Sequence, residues 1–355
     1  MPMKKLILKL EKEKSLTKQE WIQLLEGRNE ELAVFLFERA RRVRHIHYGK
    51  DVYIRGLIEF TNYCKNDCYY CGIRKSNSCL SRYRLTDDEI MSCCKNGYRL
   101  GFRSFVLQGG EDGWFSREKM TALIASIRKE YPDCAITLSV GERERVEYQE
   151  YFDAGANRFL LRHETANESH YRHLHPESMS LQNRKECLWN LRHIGYQVGS
   201  GIMVGAPEQT AEHLAEDLLF LEELQPHMVG IGPYIPHKDT PFREEKPGTL
   251  ELTLFLLGCV RLMLPKVLMP ATTALSTIHP DGRKKGILAG ANVVMPNLSP
   301  MENRKLYSLY DNKRCMGDEA AEGLELLKKE MDEIGYTVVS ARGDSLMETE
   351  QEGMA

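Results

Sequence analysis

The chain of 355 residues contains no apolar run approaching the roughly 18 to 20 residues that a membrane-spanning helix needs, so no span is expected. It also lacks an excess of either charge. Its 48 Lys and Arg against 51 Asp and Glu leave a net −3, with a sequence pI near 6.4. That removes the basic field a nucleic-acid or membrane-surface binder requires. The start, "MPMKKLILKLEKEK", is basic, but Lys9 and Glu11 interrupt its apolar residues, so no signal-peptide core forms. Low-complexity tracts and sequence repeats are missing as well. What the chain does have is ten cysteines. Without an export signal they point to a reducing compartment, the cytoplasm, with thiols or metal ligands rather than disulfides.

Three of the ten lie in "EFTNYCKNDCYYCGIRKSN", residues 59–77, as Cys64, Cys68 and Cys71. The spacing is C-x3-C-x2-C, and a fourth cysteine is absent. A structural zinc site closes with four protein ligands. Three thiolates on one short loop can instead hold three corners of a 4Fe-4S cluster and leave one iron open to a small molecule. A zinc site completed by a distant histidine and a group of unligated thiols are the alternatives. The loop's place after a strand and the aromatic at Tyr70 weigh against both.

Residues 1–50 read as helical, with Thr17-x-x-Glu20 as a capping box. Short β-branched runs then alternate with amphipathic stretches. The candidate strands are 51–60, 104–108, 135–140, 158–163, 197–205, 228–235, 267–274 and 292–298. Strict alternation of eight strands with helices predicts an α/β chain folded as a (β/α)8 barrel over 51–310, in which the cysteine loop follows the first strand at the C-terminal mouth. Residues 311–355 read as a C-terminal helix and a polar, frayed tail. Cys93, Cys94, Cys134, Cys187 and Cys259 read as buried small hydrophobes.

The cysteine motif with its aromatic resembles the signature of the radical S-adenosylmethionine (SAM) superfamily. "LQGGED" resembles that family's glycine-rich turn, and "GAPEQT" (205–210) resembles its loop after strand five, although Thr210 could equally cap a helix. Beyond the cluster, "FLLRHETAN" (159–167), "MVGIGPYIPHKDTPF" (228–242), "PATTALSTIHPDGR" (270–283) and "GANVVMPNLSP" (290–300) resemble the HydE family of FeFe-hydrogenase maturases, in the biotin synthase and methylornithine synthase group.

The resemblance implies a fold, cofactors and partners. Cys64, Cys68 and Cys71 would hold one 4Fe-4S cluster. Tyr70, Gln108, Gly109, Gly110, Glu111, Thr137, Ser139, Glu164 and Arg184 would surround SAM. Arg158, Arg162, Met228, Thr272, Thr273, Met295, Tyr307 and Tyr310 would line substrate or anion sites. Arg158, Leu160 and Arg162 share one face of a strand, so two arginines face inward and call for an anionic or zwitterionic ligand. By resemblance that substrate is a cysteine-bound iron complex carrying CO and cyanide, and the partners are the maturases HydG and HydF and an electron donor, with no nucleic acid and no membrane. No cysteine sits where biotin synthase keeps its sulfur-donating cluster. Some HydE proteins carry a further cysteine trio near the C-terminus, whereas here Cys315 is the last cysteine and stands alone. A methylornithine-synthase-like rearrangement of an amino acid is the alternative activity, and a non-catalytic iron–sulfur or zinc carrier is the alternative of another class.

Overall fold

Side-chain caps set where the helices begin. Thr17 and Thr86 accept the amides of Glu20 and Glu89, whose carboxylates return to the threonine N–H groups, so Lys18–Glu26 starts where the Thr17-x-x-Glu20 spacing predicts and Asp87–Arg99 starts on a second box of the same kind. The computed structural model describes residues 3–313 and 320–347. The helices Met3–Glu13 and Glu30–Tyr48 lie against Leu250–Met263. Gly258 makes that approach possible, because a Cβ there would stand 2.9 Å from Leu36 Cγ.

The strands are β1 (Asp51–Ile54), β2 (Gly56–Thr61), β3 (Ser104–Gly109), β4 (Ala135–Ser139), β5 (Arg158–Leu160), β6 (Gln197–Val204), β7 (Met228–Pro233), β8 (Val293–Val294) and β9 (Thr337–Val339). All their pairings are parallel. β2 to β7 form one six-stranded sheet in sequence order, and β1 lies between β8 and β9. Single bridges Met228↔Leu268, Pro270↔Val293 and Leu57↔Asn297 carry the sheet from β7 back to β2. The result is a TIM-barrel-like ring of parallel strands whose last two staves are joined by bridges rather than continuous ladders.

The structure departs from the sequence expectations at three places. Residues 51–60 are not one strand: the course breaks at Arg55, its first half pairing with β8 and β9 and its second with β3. Residues 267–274 shrink to single bridges at Leu268 and Pro270, and 292–298 to Val293–Val294 with a bridge at Asn297, since Pro270 and Pro296 have no N–H to give a ladder. The tail is not frayed as far as residue 347. β9 covers the edge of β1, Asp344 pairs with Arg158 at 2.7 Å, and the Leu346 N–H donates to the Tyr48 hydroxyl at 3.2 Å. An open sheet edge and a buried arginine both demand partners, and neither demand is visible in the tail's own composition.

The Arg158–Asp344 contact gives a testable pH dependence. Burial alone would raise the Asp344 carboxyl, but Arg158 and then Arg342 beside it together outweigh this and lower it from its ordinary value near 3.8. A lowered carboxyl stabilises the fold above its ordinary pKa, and that contribution is lost as pH falls through and below that value. Asp344→Asn should therefore cost about 1–2 kcal/mol at neutral pH, reduced from a fully buried pair because Asp344 is partly exposed. Its deficit should shrink below pH 4, as read by urea titration at both pH values.

Candidate active site

The loop between β2 and the helix Asp87–Arg99 carries the three cysteines and has almost no regular structure of its own. Side chains hold its shape instead. The Asn62 amide donates to the carbonyls of Ser81 and Leu306, each at 2.8 Å. The Arg82 guanidinium donates to the carbonyls of Ile73 (2.8 Å) and Arg74 (2.6 Å) as well as that of Asn62. Asp67 accepts from Arg74 Nε at 2.7 Å and from the Ser76 amide at 3.0 Å. None of these anchors is a thiol.

Cys64, Cys68 and Cys71 line one end of a cavity of about 400 Å³ at the barrel mouth. Burial raises all three thiols above their ordinary pKa, Cys71 to about 12, and for Cys68 and Cys71 the neighbouring cysteines add to the rise. Three neighbouring, half-buried thiols held above their ordinary pKa give up their protons most readily to a positive centre. Among the described residues, no three acid, thiol or imidazole groups could hold a single metal ion. Thiolates sharing one tetrahedral zinc would have to stand about 3.8 Å apart, given Zn–S bonds of about 2.3 Å. In a 4Fe-4S cube each thiolate takes a different iron, so this donor set fits the cluster.

The glycine-rich turn that ends β3 closes on this loop. Gly110 donates to the Thr61 carbonyl at 3.3 Å, and a Cβ on it would lie 2.2 Å from the Tyr63 carbonyl oxygen and 2.7 Å from Cys64 Cβ. Gly110→Ala should therefore displace Cys64 and lower iron retention and SAM cleavage at least ~10-fold, since an ångström of misplacement can cost more than that. Gly113→Ala, with nothing within 4 Å of the new methyl, is the matched control.

Of the twenty residues singled out in the sequence, seventeen line the cavity. Thr137, Arg158 and Met228 do not. They line a separate space of about 10 Å³ near the other end of the barrel, with Arg55 and Gln197. Leu160 lines both spaces, and the two arginines, two residues to either side of it, lie at different depths of the barrel. The expected arginine pair is thus two single arginines. Arg158 is fully engaged below, donating to Ser104 Oγ, Gln197 Oε1, the carbonyls of Arg342 and Gly343, and Asp344. Arg162 faces the cavity with Nη2 ion-paired to Glu164 Oε2 at 3.0 Å and with Nε lacking a hydrogen-bond partner.

Around the cysteine end, the side chains interlock. Arg184 pairs with Glu142 at 2.7 Å, and burial opposes its charge while Tyr171, Glu142 and Glu111 together more than restore it. Glu111 accepts from the Glu142 amide at 3.0 Å and pairs with Lys65 at 3.2 Å. Gly141, at φ +73°, lets Glu111 lie against its backbone. The Tyr70 hydroxyl meets His175 Nε2 at 3.1 Å, and burial followed by the charge of Arg184 pushes that imidazole down to about 3. In contrast, "GAPEQT" does not line the cavity: Thr210 caps the helix Ala211–Leu224 and Gln209 folds back onto the Gly205 amide at 2.7 Å.

Sequence reasoning missed Glu142, Gly141, Glu59 and Lys313. Glu59 is 1% exposed, lines the cavity, accepts from Asn297 at 2.7 Å and pairs with Lys313, which also donates to the Tyr307 carbonyl at 2.9 Å. The signal was a lone acid in the apolar strand "GLIEFT". Cys93, Cys94, Cys134, Cys187 and Cys259 are buried as expected, Cys79 is exposed, and Cys315 lies outside the described residues.

Comparison with known proteins bears on the same residues. A model of the radical SAM superfamily matches residues 58–221, from β2 and the cysteine loop through β6. The chain is 43% identical to the [FeFe] hydrogenase maturase subunit HydE of Thermotoga maritima over 84% of this chain and 85% of that one. It is 30% identical to 3-methylornithine synthase of Methanosarcina acetivorans over 79% of each chain. The crystal structure of methylornithine synthase (PylB) superposes with a TM-score of 0.83, covering 94% of this chain and 97% of that one at 27% identity. No helix among the described residues is long and apolar enough to cross a membrane. Cysteine loop, parallel ring and sequence identity together place the chain in the radical SAM superfamily, as a member of the HydE family of maturases.

Proposed function

We propose that the protein is a radical SAM enzyme of FeFe-hydrogenase maturation, with one 4Fe-4S cluster held by Cys64, Cys68 and Cys71. When bound, the cluster supplies the electron that cleaves SAM to methionine and a 5′-deoxyadenosyl radical. The observation that carries the reading is the convergence of these three thiols at one end of an interior cavity that also presents Arg162, Thr272, Thr273 and Tyr310. Gln108, Gly109, Gly110, Glu111, Ser139, Glu164 and Arg184 line the same cavity as the cysteines and would bind SAM. The Arg162 guanidinium, whose Nε has no hydrogen-bond partner, would take the carboxylate of an anionic or zwitterionic substrate, read as the cysteine-bound iron complex with CO and cyanide. HydG, HydF and an electron donor are the partners this implies. The 43% identity to HydE favours it over methylornithine synthesis, which the 30% identity and the PylB likeness keep as the second reading.

The deciding experiment adds this protein to a maturation mixture that has HydG, HydF and apo-hydrogenase but no HydE. Restored hydrogen evolution is expected. Its absence, together with 3-methylornithine formation from an amino acid, would replace the first reading by the second. Reconstituted, desalted protein should hold about four irons per chain, and Cys315→Ser should leave that count unchanged.

A further inference from the structure

Among the described residues five non-glycine residues have positive φ, and Glu164, at +63°, is the one of them that lines the cavity. The Thr165 N–H donates to the His163 carbonyl at 2.8 Å, closing a three-residue turn with Glu164 at its centre. Such a turn is strained for a residue with a side chain and persists only where its surroundings fix it.

The surroundings are polar and sealed. His163, Ser200 and Asp217 are each 0% exposed, and none of them reaches the cavity. His163 Nδ1 lies 2.9 Å from Ser200 Oγ on β6, next to Gly201, whose carbonyl accepts the Glu164 N–H at 3.1 Å. His163 Nε2 lies 3.6 Å from Asp217 Oδ1 on the helix Ala211–Leu224, and that oxygen accepts the Ala166 amide at 2.5 Å. His163 Nε2 and Asp217 Oδ2 have no hydrogen bond. A buried acid facing a buried imidazole at ion-pair distance is an expensive way to fill a core. What the two side chains do share is the turn: Ser200 and Asp217 grip it on either side, and His163 joins them.

We propose that His163, Asp217 and Ser200 are positioning residues for SAM binding. They hold the 163–166 turn in its strained form, so that the Glu164 carboxylate and the Arg162 guanidinium enter the cavity side by side. Without the imidazole the turn relaxes toward negative φ and Glu164 swings off its place. The proposal rests on Glu164 contacting SAM, as in the proposed function.

The test is a double-mutant cycle on cluster-loaded protein, reading the SAM dissociation constant by equilibrium dialysis and the thermal midpoint in parallel. Glu164→Gln should weaken SAM about tenfold, the effect of losing one charge-assisted contact. His163→Ala should weaken it to a similar degree, and the double variant no further than either single one. His163→Gln, whose amide can face Asp217, should recover most of the affinity. If His163→Ala does not fold, Asp217→Asn serves in its place, since it can still accept from the Ala166 amide and loses only the charge facing His163. A lowered midpoint with unchanged SAM affinity, or fully multiplicative losses in the double variant, would overturn the positioning role and leave Glu164 as a SAM contact. Unchanged affinity in Glu164→Gln overturns that contact, and this proposal with it.

Discussion

Alanine at Cys64, Cys68 or Cys71 should abolish both iron–sulfur absorption and SAM cleavage while the protein stays folded. The two parts of that expectation have separate causes. The loop's shape depends on Asn62, Asp67 and Arg82, none of which bonds a thiol, so removing one sulfur leaves its backbone in place. The cluster depends on the thiols alone. Each is half-buried and held above its ordinary pKa, so each would serve as a thiolate only by binding iron. Two remaining thiolates hold a cube by two corners, and 5′-deoxyadenosine formation should fall more than ~100-fold, beyond what loss of a mere outer-shell partner costs. Cys79→Ser, altering an exposed thiol of the same loop, should retain iron and activity. Normal 5′-deoxyadenosine yield from any of the three alanine variants would remove the cluster assignment.

Replacing Arg162 by Met should collapse hydrogenase maturation while iron content and the thermal midpoint remain near those of the parent protein. Arg162 is held in the cavity wall by the ion pair of its Nη2 with Glu164, and its Nε makes no hydrogen bond to the protein. Methionine keeps much of the volume and none of the planar fork, so what is lost is recognition of a carboxylate-like group. Charge-assisted contacts of this kind are worth about 2–3 kcal/mol, or roughly 100-fold in maturation rate at limiting substrate. The matched change at Arg158 should behave differently. Arg158→Met lies outside the cavity and strips the anchor of Asp344, so it should lower the midpoint and leave substrate recognition intact. If the Arg162→Met variant supports normal maturation, Arg162 is not part of the substrate site.

The sequence by itself determined the parts of this protein that depend on local chemistry. Cys64, Cys68 and Cys71 come from one short loop, so spacing alone brings them to one end of the cavity. The Thr17 and Thr86 caps satisfy amides three residues away. Strand and helix periodicity recovered the parallel ring, because a period of two or of 3.6 is set by each segment's own backbone. Depth within the barrel is different. Alternation assigns a side chain to the inside but not to a height, and so Arg158 and Arg162, equivalent in pattern, serve opposite ends of the barrel. The partner that claims Arg158 lies 186 positions away, in a tail whose composition promised only disorder. Glu142 against Arg184, Lys313 against Glu59 and Asp217 beneath His163 are likewise pairs from distant segments, each joining buried polar groups that their own segments leave unmatched. The tertiary structure decided these, since no local rule fixes which remote residue a buried charge will meet.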